Sequence, residues 1–385
     1  MQWKEQKLLD IASVFTDGDW VESRDQSSAG ILLVQTGNVG VISYRDKEVR
    51  RFVSEETFLR FKYTEIYPGD ILISRLPYPV GRACIVPEMP FRMITAVDCT
   101  ILRPQKEYDA RYINYLLNAK PAKSQVYRML AGSSRKRISR KNLAKVELPI
   151  PFKNGKPDLA EQKRIADKLD TVFAESEKGQ NKASETSREV AAFGKSLLQE
   201  IFSNPDWQSV KLGDYFDIAW GNTSITKKSY VVNGHTAYSA TGPDGFLEHY
   251  EHDGQGIVLS AIGARCGKCF LADGKWTAIK NTIVMKANPE QLIDYKYAWY
   301  FLNDEKKWRS RGMGQPFITQ GKAVNMELPV PLKNGKPDPS EQKRIVEKLD
   351  KAFAHSEHLN NLLEQQNELF ASLKLSVLNQ SFQNA

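Results

Sequence analysis

The sequence predicts an α/β protein made by internal duplication: two α/β modules with twisted β-sheets, separated by a pair of long antiparallel coiled-coil helices and related by a pseudo-two-fold axis. Three observations lead there. LPIPFKNGKPDLAEQKRIADKLD, starting at Leu148, returns as LPVPLKNGKPDPSEQKRIVEKLD, starting at Leu328, and 21 of 30 residues are identical between Leu148–Glu177 and Leu328–Glu357. Each copy runs into a stripe of apolar or small residues at alternating steps of four and three, the mark of a coiled-coil seam. Ahead of each copy lies a stretch rich in glycine turns and short apolar runs, the pattern of β-strands.

Taken in order, residues 1–153 form the first module. Within it YPGDILISRLPYPVGRA (Tyr67–Ala83) reads as a glycine turn, a strand and a second glycine turn. Residues 154–204 form the first helix. Pro149 and Pro151 keep the chain extended, KNGKPD turns it, and Asp158 is placed to cap the helix with Glu161 three residues later. Its stripe runs through Ile165, Leu169, Val172, Ser176, Gly179, Ala183, Thr186, Val190, Phe193 and Leu197. About 40 residues at ~1.5 Å each span about 60 Å. Pro205 stops this helix, and residues 205–333 form the second module, where Trp207 stands near the start as Trp3 does in the first. There DGQGIVLSAIGARCGKC (Asp253–Cys269) repeats the turn, strand, turn pattern. Residues 334–385 form the second helix, with Ile345, Leu349, Ala352, Ser356, Leu359, Leu363, Gln366, Phe370, Leu373 and Val377 on its stripe. Small Ser176, Gly179 and Ala183 are expected to face large Leu359 and Leu363 in an antiparallel seam.

Composition sets the limits. A 385-residue chain with 41% hydrophobic and 26% charged residues can build two or three cores. It has no apolar run of membrane-spanning length, its start does not read as a signal peptide, and four cysteines make no disulfide framework. A soluble cytoplasmic protein without a membrane partner is expected. A net charge of +8 and a pI near 9.0 suit a polyanionic partner.

Two diverged modules, each closing in LP.P, EQKRI and a coiled-coil helix, resemble the specificity subunit of prokaryotic type I restriction-modification systems, often called HsdS. The resemblance covers essentially the whole chain. It implies a non-catalytic subunit whose two target-recognition domains, residues 1–153 and 205–333, each read one half of a split, asymmetric site on double-stranded DNA. It also implies that the coiled coil fixes the spacing of those halves and docks two methyltransferase subunits. Those partners would hold S-adenosylmethionine and methylate adenine, and restriction subunits would complete the nuclease; the chain itself would carry no cofactor. The competing expectation is a duplicated coiled-coil adaptor that does not bind DNA specifically.

Given that resemblance, the basic run SSRKRISRK is the first candidate DNA contact, with Arg135, Lys136, Arg137, Arg140 and Lys141. Its counterpart GQPFITQGK offers Gln315, Phe317, Gln320 and Lys322. Arg75, Tyr78 and Arg82 between the glycine turns of the first half, and Arg265 and Lys268 in the second, are candidates for loop contacts, as are His235, Tyr238, Ser239 and Thr241.

Chemistry within the chain is argued against. NPDW at Asn204–Trp207 lacks the second proline of an amino-methyltransferase motif and reads as a helix stop. The letters of a PD…ExK nuclease occur at Pro157, Asp158, Glu161 and Lys163, and again at Pro337, Asp338, Glu341 and Lys343, but fall within one helical turn, where capping explains them. No GxxxxGK[ST] phosphate loop is present. His249, His252, Cys266 and Cys269 have spacing that a tetrahedral zinc site could use. Gly267 stands where the first half has Gly81, and that half has no equivalent ligands, so no metal is expected. His355 and His358 are expected to face solvent from the second helix.

Overall fold

The computed structural model describes residues 2–132, 136–288, 290, 292–308 and 316–383. It divides into two compact units, Met1–Ala183 with Gln365–Ala385, and Ser184–Glu364. Among the described residues no helix is long and apolar enough to cross a membrane.

The first unit is built on two short apolar runs, ILLV at Ile31–Val34 and ILIS at Ile71–Ser74, both wholly buried. A strand covered on both faces needs such an unbroken run. Ile71–Ser74 lies inside a four-stranded antiparallel sheet in the order Ala12–Asp17, Cys99–Pro104, Ile71–Ser74, Ala83–Ile85. Ile31–Val34 lies inside a five-stranded mixed sheet, antiparallel to Phe52–Val53 and parallel to Met93–Thr95. Helix Ala110–Asn118 buries Tyr112, Ile113, Leu116 and Leu117 in the core with Leu8, Ile71, Leu148, Ile165 and Leu169.

The second unit repeats the plan with different residues. Phe216–Trp220, Thr282–Ala287, Gly256–Ser260 and Cys269–Ala272 form a four-stranded sheet with the same connectivity. A second sheet pairs His235–Ser239 in parallel with Lys275–Ala278, so this unit too is mixed.

The repeated segment joins module to helix in each unit, with the same bonds. Asp158 Oδ1 accepts from the Glu161 amide (3.2 Å) and Asp338 Oδ1 from the Glu341 amide (3.3 Å), which satisfies a free helix-start donor. Glu161 and Glu341 are each engaged by the guanidinium one turn on, Arg164 or Arg344. Gln162 and Gln342 are fully buried. The Gln162 amide accepts from Asp109 N–H (3.0 Å) and donates to Glu107 C=O (3.2 Å); Gln342 does the same with Asp294 N–H (2.8 Å) and Leu292 C=O (3.1 Å). Tyr112 and Tyr297 donate to the carbonyls of Pro149 and Pro329, and Tyr115 and Tyr300 to the carboxylates of Asp170 and Asp350. The module's share of this joint is D-x-x-Y-x-x-Y, Asp109–Tyr115 and Asp294–Tyr300, a second repeat carried by the letters of the two modules.

The long helices run Leu159–Phe202 and Pro339–Gln380. In the first unit Gly179 lies against the Phe370 ring, and Lys374 Nζ donates to Gln180 Oε1 (2.9 Å). In the second, Ser187 donates to Asn360 (3.0 Å) and Gly194 lies against Phe353. Lys374 also lies over the Phe173 ring, so from 173 to 179 the partner number falls from 374 to 370, as it falls from 360 to 353 between Ser187 and Gly194; the helices are antiparallel in both units.

The register corrects the expected seam. Gly179 meets Phe370; the large Leu359 shares a groove with Val190 and Phe193 instead. Ile165, Leu169, Ala183, Leu197, Ile345 and Leu349 are buried, while Val172, Gly179, Val190, Leu363, Phe370 and Val377 are half-buried. Phe193, Leu359 and Leu373 are exposed, and their neighbours Gly194, Asn360 and Lys374 turn inward. A helix of 3.6 residues per turn drifts by about 20° per heptad against a 3.5-residue stripe. Extrapolating the stripe from Ile165 therefore falls short by one residue near the far end.

Candidate nucleic-acid interface

In each unit the fold brings together two segments that lie far apart in the sequence. The first is the loop between the last two strands of the four-stranded sheet, Ser74–Arg82 or Ser260–Lys268. It closes identically in both: Ser74 N–H to Arg82 C=O (2.9 Å) and Gly81 N–H to Ser74 C=O (2.8 Å), against Ser260 N–H to Lys268 C=O (2.8 Å) and Gly267 N–H to Ser260 C=O (2.8 Å). Gly81 and Gly267 both take positive φ, at 75° and 97°. A side chain on Gly81 would press on Val126, and one on Gly267 on Glu305 and Trp308, so both positions require glycine. The second segment follows the module's helices. Ile138 N–H donates to Arg75 C=O (3.2 Å) and Ile318 N–H to Ala261 C=O (2.8 Å), docking residues 136–141 and 316–322 beside the loops.

In the first unit Lys136, Arg137, Arg140 and Lys141 are exposed on that segment, while Arg135 lies outside the described residues. Arg140 donates to Thr16 Oγ1 (3.2 Å) and approaches Asp17 (3.9 Å). Arg140, Lys141 and Lys145 share a concave surface with Lys7, Asp10 and Asp17. The pairing of Gln2–Lys7 with Glu147–Lys153 carries Lys7 there, so its part in the site follows from strand pairing and not from any local motif.

Arg75 and Arg82 are corrections to the candidate set, because both are buried and committed internally. Arg82 donates to four backbone carbonyls: Val39 (2.6 Å), Thr36 (2.7 Å), Leu76 (2.9 Å) and Pro79 (3.1 Å). Arg75 donates to the carbonyls of Val97 (2.7 Å) and Ile138 (3.5 Å) and pairs with Asp17 (3.3 Å). Tyr78, between them, is 93% exposed.

In the second unit Arg265 and Thr241 are exposed and linked, Arg265 donating to Thr241 C=O (3.2 Å). Tyr238 and Ser239 are buried, which removes them as direct contacts: Tyr238 donates to Leu271 C=O (3.1 Å) and Ser239 to Asp244 (2.7 Å). Burial works to raise the Asp244 carboxyl, but hydrogen bonds from Lys227, Thr241, Ser239 and Tyr230 outweigh it and hold the group well below the usual carboxylate range. This ionised hub fixes the 227–244 segment on which Thr241 stands. Phe317, 61% exposed, bridges to Ile262 in the loop. Gln320 donates to Ile218 C=O (2.7 Å) and Lys322 to Trp308 C=O; both are half-buried, as is Lys268. His235 is half-buried and meets the Tyr250 ring edge-on. Gln315 lies outside the described residues.

The four residues with zinc-like spacing take other roles. Cys266 and Cys269 are buried, with Sγ directed at the carbonyls of Ala261 (3.2 Å) and Leu302 (3.4 Å), and burial pushes the Cys269 thiol up, away from the thiolate a metal needs. His252 packs on Trp276 and His249 is exposed; among the described residues no group of three or more His, Cys, Asp or Glu could hold a metal ion. The nuclease-like letters are accounted for by the two helix caps.

A family model described as the type I restriction modification DNA specificity domain matches residues 2–185 and 204–367. The chain is 25% identical over 164 residues to the StySPI type I restriction enzyme specificity subunit of Salmonella potsdam. That match covers 42% of this chain and 34% of the relative, so the chain spans about a third of the length of the curated relative. A chain solved in work on complex assembly and conformational transition of the type I R-M system superposes with a TM-score of 0.76 at 16% identity, covering 99% of this chain and 97% of that one. The HsdS subunit of Thermoanaerobacter tengcongensis superposes with a TM-score of 0.59, also at 16% identity, over 99% and 96% of the two chains.

Proposed function

The chain belongs to the type I restriction modification DNA specificity family, and from that membership we propose that it reads DNA sequence for a partner methyltransferase and catalyses nothing itself. Each module, residues 1–153 or 205–333, reads one half of a bipartite asymmetric target, and the antiparallel helices set the gap between the halves. The observation that carries this reading is one loop mount used twice with different chemistry. The first unit carries an exposed Tyr78 on the loop, with Lys136, Arg137, Arg140 and Lys141 exposed on the segment that Ile138 ties to it; the second ties Arg265 to Thr241 and the Phe317 segment to Ile262. Cationic side chains supply phosphate contacts and register, while the differing tips supply base choice. Two unlike readers call for a target with two unlike halves.

The helix surfaces support docking of two copies of one partner. In the first unit Val172, Ser176, Gly179, Phe370 and Leu373 line an apolar groove; in the second, Ala352, Ser356, Leu359, Val190 and Phe193 line another. The two sets correspond position by position under the internal repeat. Two methyltransferase subunits carrying S-adenosylmethionine, joined in the full complex by restriction subunits, are the proposed occupants.

The direct test is a salt titration of duplex binding. Neutralising several phosphates gives a slope of log affinity on log salt of about −0.9 per contact. A slope of roughly −4 or steeper is expected from the exposed cations of the first unit alone, and a slope near zero would sink the proposal.

A further inference from the structure

Arg82 is an unusual expenditure for a surface loop. A guanidinium carries five donors, and burying it away from water is tolerable only when those donors are satisfied. Here backbone carbonyls meet four of the five, two from the loop itself (Leu76 and Pro79) and two from residues 36–39 (Thr36 and Val39). The loop is held at its other points too. Leu76 and Val80 are buried, Ser74 Oγ donates to Leu76 C=O (3.2 Å), and the Gly81 turn sits against Val126. Of the residues Ser74–Arg82 only Tyr78 is exposed, at 93%, between the half-buried Pro77 and Pro79.

We infer that Tyr78 is a base-selecting contact of the first unit and that Arg82 is its positioning residue. This rests on the DNA-reading function proposed above and assigns the specificity of one half-site to one residue. A large aromatic on a rigid mount loses little conformational freedom on binding, and a tyrosine can lie against a sugar or base face while its hydroxyl reaches a base edge. Lys136, Arg137, Arg140 and Lys141, exposed on the adjacent segment, suit the flanking phosphates. The equivalent loop of the second unit has Ala264 in place of Tyr78 and Lys268 in place of Arg82, and offers Arg265, tethered to Thr241. Loss of Tyr78 therefore alters one half of the target and leaves the other unchanged.

The test is selection from a pool of randomised duplex DNA with the full-length chain, in wild-type, Tyr78→Ala, Tyr78→Phe and Arg82→Lys forms. Wild type enriches a two-part motif. Tyr78→Ala loses about tenfold in discrimination at one or more positions of one part, with the other part and the salt slope unchanged, and Tyr78→Phe, which keeps the sequence-tolerant stacking but not the hydroxyl, shows the same loss of discrimination. Arg82→Lys keeps the charge but not the fork, and shows the same loss at the same positions. Because Tyr78 is fully exposed, its variants fold and carry the test even where Arg82→Lys does not. A Tyr78→Ala profile identical to wild type overturns the inference while leaving the DNA-reading function standing. A folded Arg82→Lys with full discrimination overturns the positioning role. A wild-type chain that enriches no motif overturns both readings together.

Discussion

Lys123 shows how single residues of the recognition module trade stability for placement. Its Nζ is buried with no hydrogen-bond partner, and burial, aided by the nearby Arg82 charge, brings its pKa down to about 7. Unfolded, the amine titrates near 10.4, so between about pH 7 and pH 10 the unfolded chain binds the extra proton and stability rises with pH. Below pH 7 both states are charged and the full cost remains. Lys123→Met should therefore stabilise the protein by about 4 kcal/mol at pH 7 and lose that rise with pH, as chemical denaturation at pH 7 and pH 9.5 would show. Equal gains at both pH values would refute the account. Residues such as Arg75 and Arg82 were illegible in the sequence for a related reason: their partners are main-chain carbonyls scattered over residues 36–138, which no side-chain pattern records. Tyr78 was legible, because a tyrosine between two prolines in a short loop has few ways to hide.

At the level of the helices, the seam carries one sharp test. Alanine in place of Gly179 would gain about 1 kcal/mol of helix propensity, yet its Cβ would collide with the Phe370 ring. Overpacking of that kind costs about 1–3 kcal/mol, so Gly179→Ala should lower stability by about 1 kcal/mol net. Adding Phe370→Leu should restore it, as urea melts of the single and double variants would reveal. A stabilised single variant would mean that the ring is free to move aside. The existence, length and caps of these helices were plain in the letters, since heptads, Asp158 and Asp338 are local signals. Their register was not, because a one-residue slip at Phe193, Leu359 and Leu373 arises from accumulated helical drift that a fixed 3.5-residue period omits.

For the molecule as a whole, the proposed ruler has a length that can be changed. One heptad added to each helix at facing positions, after Ser187 and after Asn360, adds about 10 Å at ~1.5 Å per residue. At ~3.4 Å per base pair that is a gap wider by about three base pairs. Mapping methylated adenines in cells carrying the extended chain should show both half-motifs retained with that wider gap; an unchanged gap would refute the ruler. The duplicated architecture was legible from the repeat, whereas the mixed sheets with their parallel pairs were not, since they join strands distant in the sequence. The joint between helix and module bears on how such a chain can change over generations. Gln162 and Gln342 engage only main-chain N–H and C=O groups, and the residues offering those carbonyls, Glu107 and Leu292, are unlike. Beyond one Asp, two Tyr and an apolar face to receive Ile165 and Leu169 or Ile345 and Leu349, this joint asks little of the module's sequence. Under the proposed function, recombination between genes could therefore exchange one module for a foreign one bearing the same D-x-x-Y-x-x-Y, giving the cell a new address on its genome while the proposed partner-binding surface is inherited untouched.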